Sequence, residues 1–267
     1  GKSNGWHVFE SVRIPDAELG GKREIDMVIV GGNTMLVVEQ KHWSGSFEIN
    51  ADEEFIQHRK NGSKHNHSTV NQRIARKSRM LAAMHKERVG QDQEVDVDVV
   101  LAFTNRNLDW PERVKQLGST VKDEVGFVEM LETNNPGKLN EDLLETIAGF
   151  GTWDEVELNG GLLLKGDVLD LGLGDEVEAW QAQRTEPLQG EIVHPKGIKA
   201  FLSSRPSRMT LRHGQRNMEA NLPYGKQMKM HVVGQKAPQF VPWSTVASLN
   251  LSRPSLNDHL GQSLDKP

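Results

Sequence analysis

Three charged side chains, Asp26, Glu39 and Lys41, border apolar stretches at a spacing that could bring them together. Residues 25–41 consist of two apolar segments joined by a Gly-Gly-Asn-Thr turn at residues 31–34, a pattern that predicts a β-hairpin. If the turn is centred on its two middle residues, Asp26 lies directly opposite Glu39 on the paired strand. Lys41 is two residues beyond Glu39, so both side chains project from one face. The hairpin therefore predicts two carboxylates and an ammonium group at its open end.

Two carboxylates that face each other across a strand pair destabilise the sheet unless a cation lies between them. Hard divalent ions, Mg2+ above all, bind oxygen ligands of this kind. Asp26 and Glu39 are therefore candidate metal ligands, and Lys41 is placed to hold a water molecule or a phosphate beside the ion. Because Glu-x-Lys sequences are also common on exposed strand edges, a structural ion site with no role in nucleic-acid chemistry is an alternative.

The flanking sequence predicts the elements that must position these side chains. Alternating apolar residues predict a strand at residues 6–14, and an apolar stripe predicts a helix at about residues 69–87 whose other faces carry arginine and lysine. We expect further strands at residues 46–50, 95–103 and 126–128, a polar loop at residues 51–68, and a helix at residues 140–150. Strands and helices in this order predict an α/β fold for residues 1–151.

The chain changes character after residue 151. Short apolar runs interrupted by Gly and Pro predict strands without a helix, at residues 162–164, 177–183, 191–193, 198–202, 209–211 and 228–233. We therefore expect residues 152–251 to form a small β-rich domain, either a barrel or a sandwich, and residues 252–267 to form a polar tail. In this domain Tyr224, Phe240 and Trp243 are expected in the core, with stacking on nucleic-acid bases as the alternative.

Composition limits the class of protein. The chain has 267 residues, no cysteine and a net charge of -5. Without cysteine neither disulfides nor thiolate metal sites can form, and no apolar run reaches membrane-spanning length, so we expect a cytoplasmic protein. Basic residues are nevertheless concentrated, nine against one acidic residue, in each of the segments 58–88 and 194–236. Such segregation is typical of surfaces that bind a polyanion, although two solvated faces would give the same pattern.

The residues around the hairpin resemble a known family. Residues 24–30 (Glu-Ile-Asp-Met-Val-Ile-Val) and 37–45 (Val-Val-Glu-Gln-Lys-His-Trp-Ser-Gly) are similar to the nuclease-related domain, NERD, a branch of the PD-(D/E)XK nucleases. The resemblance covers about residues 5–150 and implies the restriction-endonuclease-like fold, a mixed sheet flanked by helices. Such domains usually carry an Asn-Pro-x-x-Gln motif. Here Gln72 matches its last position, whereas Ser68-Thr69 replaces the Asn-Pro pair.

The resemblance implies Mg2+-dependent hydrolysis of phosphodiester bonds, with Mn2+ as an alternative ion. Asp26 and Glu39 would hold the metal, and Lys41 would orient the attacking water or stabilise developing charge. Gln72 would position the nucleophile or a backbone phosphate. Basic residues of the first segment would hold the nucleic acid, which we expect to be DNA, by its phosphates. These are Arg59, Lys60, Lys64, Arg73, Arg76, Lys77 and Arg79.

NERD domains usually open with a helix that carries a Gly-Glu pair, whereas this chain starts at Gly1, almost directly on the first strand. We therefore expect one acidic residue of the site to lie upstream, with Glu10 and Glu24 as substitutes within the chain. The alternative function is a catalytically inactive module that retains the nuclease fold and binds nucleic acid or serves as a scaffold. Restriction of phage or plasmid DNA is the favoured setting over repair, and a protein partner or second copy could bind through the β-rich domain.

Two further patterns near the hairpin are less specific. Trp43 is expected to pack against the end of the hairpin, with stacking on a base as the alternative. His65 and His67 could bind zinc, but no cysteine or well-spaced third histidine accompanies them, so an exposed polar loop is favoured.

Overall fold

A computed structural model describes residues 2–52, 54–90, 94–111, 120–195 and 206–260. These residues form two compact units. The first contains the chain up to Phe150 together with the segment from Leu256 onward, and the second contains residues 151–255. Within the described ranges, no helix is both long enough and apolar enough to cross a membrane.

The described part of the first unit consists of strands and three helices. The strands are β1 (Lys2–Ser3), β2 (Trp6–Pro15), β3 (Lys22–Gly31), β4 (Thr34–Lys41), β5 (Ser46–Ile49), β6 (Phe55–His58), β7 (Lys64–His67), β8 (Asp96–Phe103) and β9 (Val121–Asp123). The helices are α1 (Val70–Val89), α2 (Glu124–Thr133) and α3 (Glu141–Ala148).

The main sheet of this unit is mixed, in the order β1-β2-β3-β4-β8-β9. Strands β1 to β4 pair antiparallel, and β8 and β9 continue the sheet in parallel. Alternate residues of β4 belong to different apolar clusters: Met35 and Val37 pack with residues of α1 and α3, whereas Leu36 and Val38 pack with residues of α2. Helices therefore cover both faces of the sheet, which explains why the strands are continuous apolar runs.

A second, three-stranded sheet is formed by β5, β6 and β7. The prediction of a loop at residues 51–68 was therefore wrong. Phe55 fixes β6 in place, because its ring is buried and lies 6.0 Å from that of Phe47. The sequence of β7 contains only Lys, His and Asn, since it is an exposed edge strand, and it shows no apolar periodicity that could have predicted it.

Residues 126–128, predicted as a strand, belong to helix α2. Asp123 caps this helix, because its carboxylate accepts a hydrogen bond from the backbone N–H of Gly126 at 2.7 Å. Phe127, Met130 and Leu131 then follow at helical spacing and pack against the sheet. Residues 126–128 were predicted as a strand because three residues are too few to show a helical period.

The described part of the second unit consists of eight strands, one α-helix and one 3₁₀ turn. The strands are β10 (Asp154–Leu158), β11 (Leu163–Asp170), β12 (Leu188–Val193), β13 (Ser207–His213), β14 (Arg216–Leu222), β15 (Gln227–Val232), β16 (Gln239–Pro242) and β17 (Val246–Leu251). The helix α4 spans Asp175–Ala182, and the 3₁₀ turn spans Trp243–Thr245.

These strands form one sheet in the order β14-β13-β12-β17-β10-β11-β15-β16, with antiparallel neighbours throughout. Among the described strands, β14 and β16 are edges, so the sheet does not close into a barrel. The strand predicted at residues 177–183 is helix α4 instead, whose Val177 and Trp180 lie three residues apart and face the core. The strand predicted at residues 198–202 lies outside the described residues.

The three aromatic residues of this unit that were expected in the core differ in exposure. Trp243 is in the core, only 1% exposed, and its indole N–H donates to the carbonyl of Leu171 at 2.8 Å. Tyr224 and Phe240, in contrast, are 96% and 66% exposed. The expectation of a core position was therefore wrong for these two.

The segment after Ser255 returns to the first unit. The backbone N–H of Leu256 donates to the carbonyl of Gly149 at 2.9 Å, and the side-chain amide of Asn257 donates to the carbonyl of Thr146 at 2.7 Å. Leu260 is buried in the same apolar cluster as α1 and α3. This part of the expected polar tail therefore packs against the fold.

Candidate active site

The β3–β4 hairpin positions the acids through a turn that only glycine can make. Gly32 has a φ of 57°, and a Cβ atom there would lie 1.6 Å from the carbonyl oxygen of Pro136. The strand pairing runs from Gly31–Thr34 to Met27–Val38. Asp26 and Glu39 are the next residues on the two strands, so they occupy opposite positions where the ladder ends.

Asp26 is held by the backbone of the neighbouring strand. Its Oδ2 accepts a hydrogen bond from the backbone N–H of Gln40 at 2.7 Å. On the other side, the β2–β3 register places Ser11 opposite Asp26, and Ser11 has a φ of 50°, in the left-handed region that non-glycine residues rarely adopt. Strained backbone of this kind concentrates at functional sites, because the surrounding structure must maintain it.

Glu39 is held by two lysines from different elements. Lys41, in the same strand, donates to Oε1 at 2.7 Å, and Lys77, in α1, donates to Oε2 at 2.8 Å. The three side chains are each 17–20% exposed. Each oxygen of the Glu39 carboxylate thus has its own ammonium partner.

The charges of this group shift the two carboxyls in opposite directions. Burial raises the pKa of Asp26, and the negative charge of Glu39 raises it further. Burial also acts to raise the pKa of Glu39, but the hydrogen bonds from Lys41 and Lys77 outweigh it and lower that pKa. The two lysines therefore stabilise the charged form of Glu39 more than that of Asp26.

The donors present fit a hard divalent cation. In the described part of the chain, no group of three or more His, Cys, Asp or Glu side chains comes together as a metal cluster. Mg2+, however, is commonly bound through one or two carboxylates and keeps several of its waters. Asp26 and Glu39 supply two such carboxylates, and the raised pKa of Asp26 indicates that added positive charge would stabilise it. A cation bound through Glu39 would share the carboxylate with the two ammonium groups or displace one of them.

His67 lies within electrostatic range of Lys41 and of several other cations. The ring of His67 stacks on Trp43, with centroids 4.1 Å apart and an angle of 22° between the planes. Burial lowers the pKa of His67, and the positive charges of His65, Lys41, Arg59 and Arg73 lower it further. Trp43 itself is buried and packs against Phe47, Phe55 and Phe103, which agrees with the expected packing role.

The predicted nucleic-acid contacts fall into two groups. Five are exposed and available to a polyanion: Arg59, Lys60, Lys64, Arg73 and Arg79. Arg76 differs, because both of its terminal nitrogens bind the carboxylate of Asp16 at 2.8 Å and one also binds Glu18 at 2.7 Å. Asp16 and Glu18 therefore neutralise its charge within the protein. Lys77 differs as well, since it lies on Glu39.

Gln72, Glu10 and Glu24 are the remaining candidates. Gln72 is exposed in the first turn of α1, and among the described residues its side chain makes no hydrogen bond to Asp26, Glu39 or Lys41. Glu10 is exposed on β2, and Glu24 lies opposite Arg13 in the β2–β3 pairing.

Sequence reasoning missed the positions of Lys77 and His67. Lys77 lies four residues after Arg73 on the same side of α1, but no sequence signal distinguishes the basic face that meets the sheet from one that meets solvent. His67 meets Trp43 only because residues 55–67 form a hairpin, which the polar composition of β7 concealed.

A comparison with known families finds one match, to the first part of the chain. A family model described as nuclease-related domain matches residues 1–104, a stretch that contains Asp26, Glu39, Lys41, His67 and Lys77. No curated protein and no solved structure matches the chain. The first part of the chain is therefore similar to a nuclease-related domain.

Proposed function

We propose that this chain is a metal-dependent endonuclease of the PD-(D/E)XK type that hydrolyses phosphodiester bonds of DNA. One observation carries the proposal: Asp26, Glu39 and Lys41 meet at the open end of one hairpin, within the stretch that matches the nuclease-related domain.

The residues divide the chemical work among them. Asp26 and Glu39 would hold Mg2+ or Mn2+, which when bound polarises a phosphate and lowers the pKa of a water molecule. Lys41 is close enough to Glu39 to place its ammonium beside a phosphate oxygen and stabilise the charge that develops there. Gln72 is proposed to contact a phosphate once the nucleic acid is bound, since it is exposed on the helix that carries Lys77.

The exposed cations beside the site are proposed to hold the substrate. Arg59, Lys60 and Lys64 surround the turn of the β6–β7 hairpin, and Arg73 lies in the first turns of α1. Such residues contact phosphates and contribute affinity without reading the sequence. We therefore expect binding that weakens steeply with salt and depends little on base sequence.

The test is cleavage of supercoiled plasmid and of single-stranded DNA with Mg2+, with Mn2+ and with EDTA. Lys41→Ala and Asp26→Asn are each expected to lower the rate by about a hundredfold or more, because charge stabilisation and metal binding are lost. Lys86→Ala is the matched control, since Lys86 is exposed near the end of α1. Cutting that survives both site variants would contradict the assignment of the site.

A second candidate function is an inactive module that binds DNA without cutting it. The observation in its favour is that Asp26, Glu39, Lys41 and Lys77 already balance one another in charge. Salt-dependent DNA binding with no cleavage under any metal condition would support this candidate over the nuclease.

We also propose a biological role for this endonuclease. Anti-phage or anti-plasmid restriction in the cytoplasm suits a cysteine-free DNA endonuclease, and a second copy or another protein could bind through the β-rich unit. Expression of the chain should then reduce plaque formation or plasmid transformation, and Lys41→Ala should abolish the effect.

A further inference from the structure

Lys77 contacts the acid site although its sequence context suggested a surface cation. Its Nζ donates to Oε2 of Glu39 at 2.8 Å, while Lys41 occupies Oε1. Lys77 comes from α1, whereas the two acids and Lys41 come from the hairpin. Its charge also acts on Asp26, because it is one of the charges that lower the pKa of that carboxyl against the effect of burial.

A divalent cation and the Lys77 ammonium compete for the same oxygen. An ammonium at hydrogen-bond distance from Glu39 Oε2 occupies one lone pair of that oxygen, and its positive charge repels a second cation nearby. Both lysines have flexible four-carbon side chains, but only Lys77 lies on the helix that also carries the exposed Arg73. Lys77 is therefore the ammonium that can turn towards a phosphate bound along α1.

Lys77 also has somewhere to move. Arg73 lies one helical turn earlier on the same side of α1 and is exposed, so a phosphate held by Arg73 would be within reach of Lys77. The neighbouring Arg76 cannot serve in this way, because Asp16 and Glu18 bind its guanidinium group.

We propose that Lys77 couples cation binding to nucleic-acid binding. In the free protein it holds Glu39 and keeps cation affinity low. When nucleic acid binds, a phosphate becomes its partner and the Glu39 carboxylate is released to the cation. The inference rests on the proposed nuclease function, and it makes Lys77 a positioning residue that regulates the same site. By linkage, cation and nucleic acid must then raise each other's affinity.

The first experiment measures Mn2+ binding to the whole chain without nucleic acid, from the electron paramagnetic resonance signal of free Mn2+. We expect Lys77→Met to bind Mn2+ about five- to tenfold more tightly than the wild type, a coupling of ordinary size. Lys77→Arg keeps the charge and should stay close to wild type. Lys86→Met is the matched control for loss of a lysine elsewhere on α1.

The second experiment repeats the titration with a phosphorothioate DNA duplex that resists cleavage. The duplex should tighten Mn2+ binding to the wild type by about the same factor, whereas in Lys77→Met it should change the affinity little. This difference distinguishes coupling from a purely structural role, which would leave the effect of the duplex intact. Lys77→Gln is measured in parallel, so that a folding defect in one variant does not decide the result.

The outcomes separate this inference from the proposed function. If Asp26→Asn abolishes Mn2+ binding but both neutral Lys77 variants bind Mn2+ as the wild type does, the coupling is refuted and the metal site stands. If neither the wild type nor the neutral Lys77 variants bind Mn2+, with or without duplex, the metal site and the coupling fall together.

Discussion

Asp26 and Glu39 are neighbours on one hairpin, yet their surroundings shift their pKa values in opposite directions. The pKa of Asp26 is raised by burial and by the charge of Glu39, whereas the lysines lower the pKa of Glu39 against the effect of burial. Asp26 therefore accepts a proton more readily than an ordinary aspartate does, whereas Glu39 accepts one less readily than an ordinary glutamate. Because Asp26 is a proposed metal ligand, we expect metal binding to weaken at a higher pH than it would with an ordinary aspartate.

Glu39→Gln should lower the pKa of Asp26. The substitution removes the like charge and also frees the ammonium groups of Lys41 and Lys77 to act on Asp26. Carbon-13 NMR of the aspartate carboxyl in the metal-free protein measures the shift. Glu48→Gln is the control, because Glu48 lies on β5 and pairs with His58. An Asp26 pKa that does not move in Glu39→Gln would contradict the electrostatic account of the site.

Asp16 is another acid whose pKa is shifted by its surroundings. Its side chain is fully buried, and its carboxylate accepts hydrogen bonds from Arg23 at 2.6 Å and from two nitrogens of Arg76. The hydrogen bond from Arg76 is the main reason why its pKa lies far below the usual 3.8. A carboxyl with a lowered folded-state pKa stabilises the protein above its unfolded pKa, and this contribution is lost as the pH falls below that value.

Asp16→Asn is therefore expected to lower the free energy of unfolding of the first unit by about 2 to 3 kcal/mol at pH 7, with a smaller difference at pH 3. Urea unfolding at both pH values measures it. Glu18→Gln is the control, since Glu18 binds the same Arg76 but is 76% exposed, and it should cost less than about 1 kcal/mol. Equal losses for the two variants, or a loss independent of pH, would speak against the buried pair.

For single residues, the sequence predicted positions along the strands better than it predicted which side chains contact each other. The opposition of Asp26 and Glu39 followed from counting residues from a two-residue turn, and the register agrees with it. The contact between Lys77 and Glu39 could not be predicted, because it depends on how the apolar side of α1 packs against the sheet. The exposure of Tyr224 could not be predicted either, because an aromatic residue in the sequence does not by itself show whether it lies in the core or in an exposed turn.

Among the elements, those with a long and regular apolar pattern were predicted well. Helix α1 and strand β8 agree with the predictions to within a few residues. The errors include α2 and α4, whose 10 and 8 residues show too little of their period, β7, which has no apolar residue, and β6, which lies in the segment predicted as a loop. Tertiary contacts, such as the packing of Phe55, decide these segments.

Gly32→Ala should disrupt the hairpin as an element. The substitution imposes a left-handed backbone on alanine and places its Cβ against the carbonyl of Pro136, so we expect a loss of at least about 2 kcal/mol. Thermal unfolding and Mn2+ binding should both report the change. Gly62→Ala is the control, because its φ is 82° but nothing lies within 4 Å of the added Cβ. Its cost should be about 1 kcal/mol. A similar loss in both variants would mean that the contact with Pro136 is unimportant.

At the scale of the whole molecule, the first unit is built from two separate parts of the chain. Asn257 satisfies the carbonyl of Thr146 near the end of α3, and Leu260 fills the cluster beneath α1. Nothing in the composition after residue 252 indicated this, because one amide and one leucine among polar residues do not form a pattern.

Asn257→Ala should destabilise the first unit by about 1 to 2 kcal/mol, because the buried carbonyl of Thr146 loses the shorter of its two hydrogen bonds, the other coming from the backbone N–H of Gly149 at 3.1 Å. Hydrogen exchange of the α3 amides measures the effect and distinguishes it from changes in residues 151–255. Leu256→Ala is the control, since Leu256 is 66% exposed and should change stability by less than about 0.5 kcal/mol. Unchanged protection of α3 in Asn257→Ala would show that the returning segment is not part of the fold.

The return of residues 256–260 to the first unit also sets an order of events during translation. A ribosome must synthesise all of residues 151–255 before Asn257 and Leu260 emerge to complete the packing around α1 and α3. The helix that carries Lys77 thus reaches its full stability only when the chain has been made as far as Leu260. In a cell, a nascent or truncated chain without residues 256–260 would hold the proposed DNA-cutting site less firmly than a chain that includes them.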